Sequence, residues 1–464
     1  MTEKPRLADI LQQLPSLRKL LGEFGDMSLF DYAKKNYRPT PSDTPLFLER
    51  KKEFIGFLGE YLSRKFNTDI SEKACESLER NYAVSTAEHH GPMGHPFFFQ
   101  SAILRWFVNP EEAIVNLCTS HVSLGNSSYP RGIVFHGDGE KAPNEYLKLP
   151  FFPASQRMDP VFRHPTFTLA DIEKTTLPKL KSYLEANYIS KELFESVSAF
   201  LKWYVLDEQI LNCGTYSEQI TLLNHTWWNT LFRKTPYSKW VLLTSPPPLS
   251  GGQIQMPDFI PLDAEDIVSE LLIRHLKNDT PLTRIMTDIA LQPMIEENFD
   301  GISCCFDLVK KSWTYLFWYL DKNNNRHSLW SDGGNLMDEK REICIPLKAQ
   351  SIIQYLLSWS LIPSGLLTYT TLACYYGLTC FGWIFQDTYL TAIKQAYKKI
   401  FPTSWLLSEL RTNIVNADLY YLFTHQNQPM TAIDFVMKNI EWSSLVQART
   451  TSLQQSIEKC CVDL

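Results

Sequence analysis

No CxxC pair occurs among the ten cysteines of this 464-residue chain. That absence removes the usual ligand spacing of a thiolate zinc ribbon or a thioredoxin-like redox centre. Nor do the cysteines form a regular framework: Cys304-Cys305 and Cys460-Cys461 are adjacent pairs and the others are scattered, unlike the staples of small secreted domains. Reduced thiols in a cytoplasmic protein are the simpler expectation. The GxxxxGK[ST] order of a P-loop, the GxGxxG fingerprint of dinucleotide sites and the GxSxG elbow of serine hydrolases are all missing, so the common nucleotide and serine-hydrolase classes receive no motif support. Positive charge is not in surplus, with 45 Lys and Arg against 51 Asp and Glu and a formal charge of -6. A broad phosphate-binding surface is therefore excluded, and nucleic acid is not the expected partner. The first residues carry charges inside a helical apolar pattern and lack the unbroken apolar core of a secretory signal. No repeat of solenoid period is detectable.

One long stretch lacks charge altogether. From Ala349 to Gln386 there is no Asp, Glu, Lys or Arg, a span longer than the roughly 20 residues that cross a bilayer. Its Ser, Thr, Tyr and Gln content, and the break at Pro363 and Gly365, favour buried core helices, so stable membrane insertion is not expected.

Hydrophobic residues make up 44% and aromatics 13% of the chain, a globular composition rich in rings. The apolar periodicity predicts an α/β or α+β fold: a helical N-terminal scaffold, a small mixed sheet with a βαβ unit, and a mainly helical, aromatic-rich C-terminal half. Phe54, Phe57, Leu58 and Leu62 fall on one face of a scaffold helix. The unit YAVST, PFFFQSAILRWFV, AIVNLCTS reads as strand, helix, strand, and GIVFHG as a third strand. The Pro- and Gly-rich segment 244–261 reads as a linker between units 1–243 and 262–464. Beyond it, PLDAEDIVSELLIRHLKN is acidic at its start and basic at its end, as a helix dipole favours.

Histidine carries the strongest functional signal. Six of the ten histidines, His89, His90, His95, His121, His136 and His164, lie between residues 89 and 164, where even scattering would place about one or two. Glu88, His89 and His90 follow the first strand of the βαβ unit, and Ser120 and His121 follow the second. In such a unit the strands are parallel, their carboxyl ends open on one edge, and ligands bind there. Glu88, His89, His90 and His121 are accordingly the candidate catalytic residues, for proton transfer or coordination. The loop Asn126, Ser127, Ser128 with Arg131 is the candidate anchor for a small polar or anionic substrate. His89, His90, His95, His136 and Asp138 form a candidate metal set for Zn or Fe. His136-x-Asp138, completed by His164 or His225, would also fit the facial triad of non-haem iron oxygenases, although Gly137-Asp138-Gly139 is better read as a tight turn after a strand. Asp321-Lys-Asn323-Asn-Asn325 begins like a calcium loop, but Arg326 stands where that loop needs glycine, and a hairpin turn is the better fit.

Two functions follow as expectations. The first is an intracellular enzyme performing acid-base or metal-assisted hydrolysis or group transfer on a small metabolite. The second is a non-enzymatic interaction protein, with its aromatics as contact anchors and its histidines structural. They part on whether the histidines converge.

Overall fold

A computed structural model describes residues 11–12, 15–37, 44–66, 68–93, 96–110, 112–143, 145–233, 258–382, 386–401, 424–425, 428–437 and 448–461. Four short apolar strands, β1 (Ala83–Ser85), β2 (Ile114–Cys118), β3 (Phe259–Asp263) and β4 (Thr379–Phe381), pair in the order β4-β1-β2-β3. All three pairings are parallel, with Ala83 opposite Thr379, Ser85 opposite Asn116, and Ile114 through Cys118 opposite Phe259 through Asp263. The strands are apolar on both faces because both are covered, as parallel sheets require. Ala83, Ile114, Phe259 and Phe381 face one core with Phe99, Trp106 and Trp228, while Val84, Val115, Leu117, Ile260, Leu262 and Cys380 face another with Phe54, Leu58 and Ile267.

The mixed α/β class and the βαβ unit expected from the sequence are present. The scaffold helix α1 (Pro45–Lys65) buries Phe54, Phe57, Leu58 and Leu62 and packs on α2 (Thr68–Arg80). Helix α3 (Pro96–Val108) joins β1 to β2. Helix α4 (Tyr216–Arg233) lies along β3. Helix α5 (Ala264–Leu276) starts where β3 ends; its N-cap, Asp263, accepts from the Asp266 backbone N–H, and Glu265 and Asp266 occupy the first turn with Arg274 and His275 in the last. Acids at the positive end and bases at the negative end suit the helix dipole.

Three expectations change. GIVFH (Gly132–His136) is a strand, but it forms an antiparallel hairpin with Tyr146–Pro150 and takes no part in the parallel sheet. The uncharged stretch is not all helix: Ala349–Leu357 and Gly365–Tyr369, the latter running into a π turn at Thr370–Tyr375, alternate with strands Leu361–Pro363 and β4. Every residue from 361 to 382 is buried, which accounts for the missing charge, since an unpaired buried ion is costly. Third, residues 259–261, counted with the linker, begin β3 and Asp258 directly precedes it; residues 244–257 of that segment lie outside the described residues. Among the described residues no helix is long and apolar enough to cross a membrane.

Candidate active site

The parallel strands bring three loops to one edge. After β1 come Glu88, His89 and His90; after β2, Thr119, Ser120 and His121; β3 ends at Asp263, and Glu265 and Asp266 follow in the first turn of α5. The first two continue the ladder, since the Thr119 N–H donates to the Glu88 carbonyl and the His90 N–H to the Thr119 carbonyl, both at 2.8 Å. Helix α4 braces the first loop. Asn224 donates to the Gly91 carbonyl at 3.0 Å and accepts from the Met93 N–H at 2.7 Å, and His90 Nε2 donates to the Ser217 carbonyl at 3.0 Å.

Among the candidate catalytic residues, His121 has the geometry of an oriented acid-base group. Its Nδ1 donates to Glu265 Oε1 at 2.7 Å, and among the described residues no partner occupies Nε2. The other Glu265 oxygen accepts from the Ser120 backbone N–H at 2.7 Å and from its hydroxyl at 3.1 Å. Burial pushes the Glu265 carboxyl up, but the hydrogen bonds and charge of His121 and the Ser120 N–H outweigh it and hold the group below the usual carboxylate range,. Trp318 stacks on the His121 ring at 6.3 Å and Trp313 meets it edge-on.

Two neighbouring acids complete the cluster. Asp263 accepts from Ser120 Oγ and Ser217 Oγ, each at 2.6 Å. Burial, then the charges of Asp266 and Glu265, push its carboxyl up to about 7 despite those hydroxyls. Asp266 accepts from Tyr61 Oη at 2.6 Å, Lys65 Nζ at 2.5 Å and Arg163 Nε at 2.7 Å. Burial would raise it, but Arg163 and Lys65 bring it down to about 2.

His89 donates through Nδ1 to Ser128 Oγ at 2.8 Å, and Ser128 in turn donates to Asn126 at 3.1 Å. Burial, with the nearby His121, lowers its pKa to about 4. His90 is fully buried; burial lowers it to about 4 as well, and its Nδ1 has no hydrogen-bond partner among the described residues. Both imidazoles are therefore neutral near pH 7. His89, His90 and His121 share the edge, as the βαβ reading expects, and Asn126 and Ser128 support His89.

The other predicted residues sit elsewhere. Glu88 turns into the sheet, where it accepts from Asn116 Nδ2 at 2.5 Å, and Asn116 accepts from Arg105 at 2.8 Å; it ties β1 to β2. Ser127 is exposed. Arg131 lies over the Tyr129 ring at 5.7 Å, beside Lys148. The metal set does not assemble. His136 bonds Asp434 at 2.6 Å, whereas Asp138 accepts from Ser190 N and Oγ. His164 bonds the Pro165 carbonyl and His225 that of Phe259, so neither completes a facial triad. His95 lies outside the described residues. Among the described residues no three His, Cys, Asp or Glu side chains are grouped for a metal ion.

The acids of α5 escaped the sequence reading as site residues, although their position directly after a strand and at a helix start was the available signal. A small cleft at the opposite, amino edge, lined by Tyr37, Asn81, Arg105 and Glu112 among others, carries none of the predicted residues. The chain matches no protein-family model and no curated protein sequence, so its function rests on its own residues.

Proposed function

We propose that the chain is an enzyme in which His121, oriented by Glu265, acts as general base and general acid in hydrolysis or group transfer on a small polar or anionic metabolite. The observation that carries this is the 2.7 Å bond from His121 Nδ1 to a buried carboxylate, which leaves Nε2, without a partner among the described residues, as the proton acceptor. A carboxylate at Nδ1 fixes the tautomer and stabilises the imidazolium that forms when Nε2 takes a proton. Placement at the carboxyl edge of a parallel sheet supports the same reading. His89 and His90, both neutral, hold the loop and offer hydrogen bonds. Eight cysteines, from Cys75 to Cys380, are free thiols, in keeping with a reducing, cytoplasmic setting.

The test is untargeted mass spectrometry of a small-molecule extract incubated with the wild-type chain, His121→Asn and Glu265→Gln, each checked for native circular dichroism. At least one compound should be consumed by the wild type and spared by both variants. Variants that match the wild type, or a wild type that consumes nothing, would overturn the proposal in favour of a non-enzymatic binding protein.

A further inference from the structure

Arg326 is the residue that spoils the calcium-loop resemblance, and the fold brings it to His121. It opens the second strand of a hairpin, Phe317–Leu320 with Arg326–Ser328. Asp321 fixes the turn between them by accepting from the Asn323 N–H at 2.8 Å, the Asn325 N–H at 2.9 Å and His327 Nε2 at 2.9 Å. On one face of this hairpin, diagonal neighbours Trp318 and Arg326 meet, the guanidinium carbon 4.2 Å from the ring centroid,. The same ring stacks on His121, and Arg326 Nη1 donates to the His121 backbone carbonyl. The guanidinium is thus held in place from two sides, directly beside the candidate base.

Its charge is unanswered. Two other cations beside the acids of α5 have a partner: Lys65 and Arg163 both bond Asp266. Glu265 is near enough to feel Arg326, but its two oxygens are engaged by His121 and Ser120. Arg326 itself forms no ion pair with any described residue, although it is part-buried and burial lowers its pKa. Among the described residues one of its five guanidinium N–H donors is used,. A half-desolvated, unpaired and pre-oriented guanidinium is the arrangement that recognises a planar or tetrahedral oxyanion through paired hydrogen bonds.

We infer that Arg326 binds an oxyanion of the substrate, a carboxylate or a phosphate, and so places the rest of that molecule against His121. The inference rests on the proposed role of His121 and names the substrate class for that site; it moves the anion anchor from Arg131 to Arg326.

The wild-type chain can be treated with phenylglyoxal, which modifies guanidinium groups, in the presence of sodium phosphate, sodium acetate or sodium chloride at equal ionic strength. Peptide mass spectrometry then gives the labelling rate at each arginine. An anion at about ten times its Kd should slow labelling of Arg326 about tenfold and leave the exposed Arg157 unchanged. Protection by phosphate alone assigns a phosphorylated substrate, and protection by acetate alone a carboxylate. Equal rates at Arg326 in all three salts overturn the inference. Protection should persist in His121→Asn, which separates the two claims: lost turnover with retained protection supports both, and lost turnover without protection in the wild type leaves the acid-base role standing and removes Arg326. In Arg326→Lys, which keeps the charge but not the fork, the KM for the consumed compound should rise much more than kcat falls; an unchanged KM also refutes the assignment.

Discussion

Replacing Asp266 with Asn tests the electrostatics beneath the site without touching His121. Asp266 joins Tyr61 and Lys65 of α1 to Arg163 of the loop that follows Phe162. Its carboxyl lies at about 2 against an ordinary 3.8, a depression worth about 2.5 kcal/mol of stability. Because the folded-state value is the lower one, this contribution is present in full above the ordinary carboxylate range and is lost as pH falls through 2. Asparagine keeps the shape and removes the charge, leaving two part-buried cations. Lys65 retains Glu218 at 3.4 Å, so the expected loss is about 2.5–4 kcal/mol, the lower part of the range for a broken buried ion pair. Urea unfolding followed by both tryptophan fluorescence and circular dichroism at pH 7 measures it. The wild-type advantage should fall to about half by pH 3, and Lys65→Met in the Asn background should restore about 1 kcal/mol by removing one stranded charge. A loss below about 1 kcal/mol at pH 7, or one that does not shrink in acid, would refute the reasoning.

His90, neutral because burial holds it at about 4 against 6.5, should cost the fold up to about 3 kcal/mol as pH falls from 6.5 through 4; His90→Asn should flatten that part of the stability curve, and an unchanged slope would contradict the assignment. Glu265→Gln should lower turnover of the consumed compound by about 10²–10⁴ with the fold intact, and a variant at full rate would show that Glu265 does not orient His121. Phe54, fully buried and in contact with the rings of Tyr82 and Tyr376, should cost about 3–5 kcal/mol when cut to Ala, measured by the same unfolding curves. A Cβ at Gly132 would come within 2.1 Å of the Leu149 carbonyl oxygen in the paired strand, whereas one at Gly22 meets nothing within 4 Å; Gly132→Ala should therefore destabilise by about 1–3 kcal/mol, while Gly22→Ala, inside a helix, should be neutral or slightly stabilising.

The βαβ unit and the shared edge of His89, His90 and His121 were legible because they depend on local periodicity and on a rule of handedness. The rest depended on pairing across long separations. Nothing local reveals that the strand opening with Phe259 lies beside β2, so the acids that follow it could be read as helix-dipole residues but not as partners of His121. Glu88 shows the converse: its neighbours in sequence are site residues, yet its side chain points to Asn116, and no spacing rule gives the face on which a residue leaves a strand end. In the sequence Arg326 stands out only as a fault in a calcium loop. Its meaning came from a tryptophan shared with His121, a contact between segments about 200 residues apart,. Strand β4 was hidden for a different reason: complete burial erases the alternation that marks a half-exposed strand.

The pairing of β1 with β4 also sets an order of events during synthesis. Ala83 must find Thr379, so β1 leaves the ribosome about 300 residues before its outer neighbour. At about 5–20 residues per second the wait is roughly 15–60 s, during which one side of β1 can be supported by β2 while the other presents unpaired backbone N–H and C=O groups. A nascent chain halted before residue 379 therefore carries the loops of the candidate site on an unfinished sheet, with an open strand edge available to chaperones or to another nascent copy.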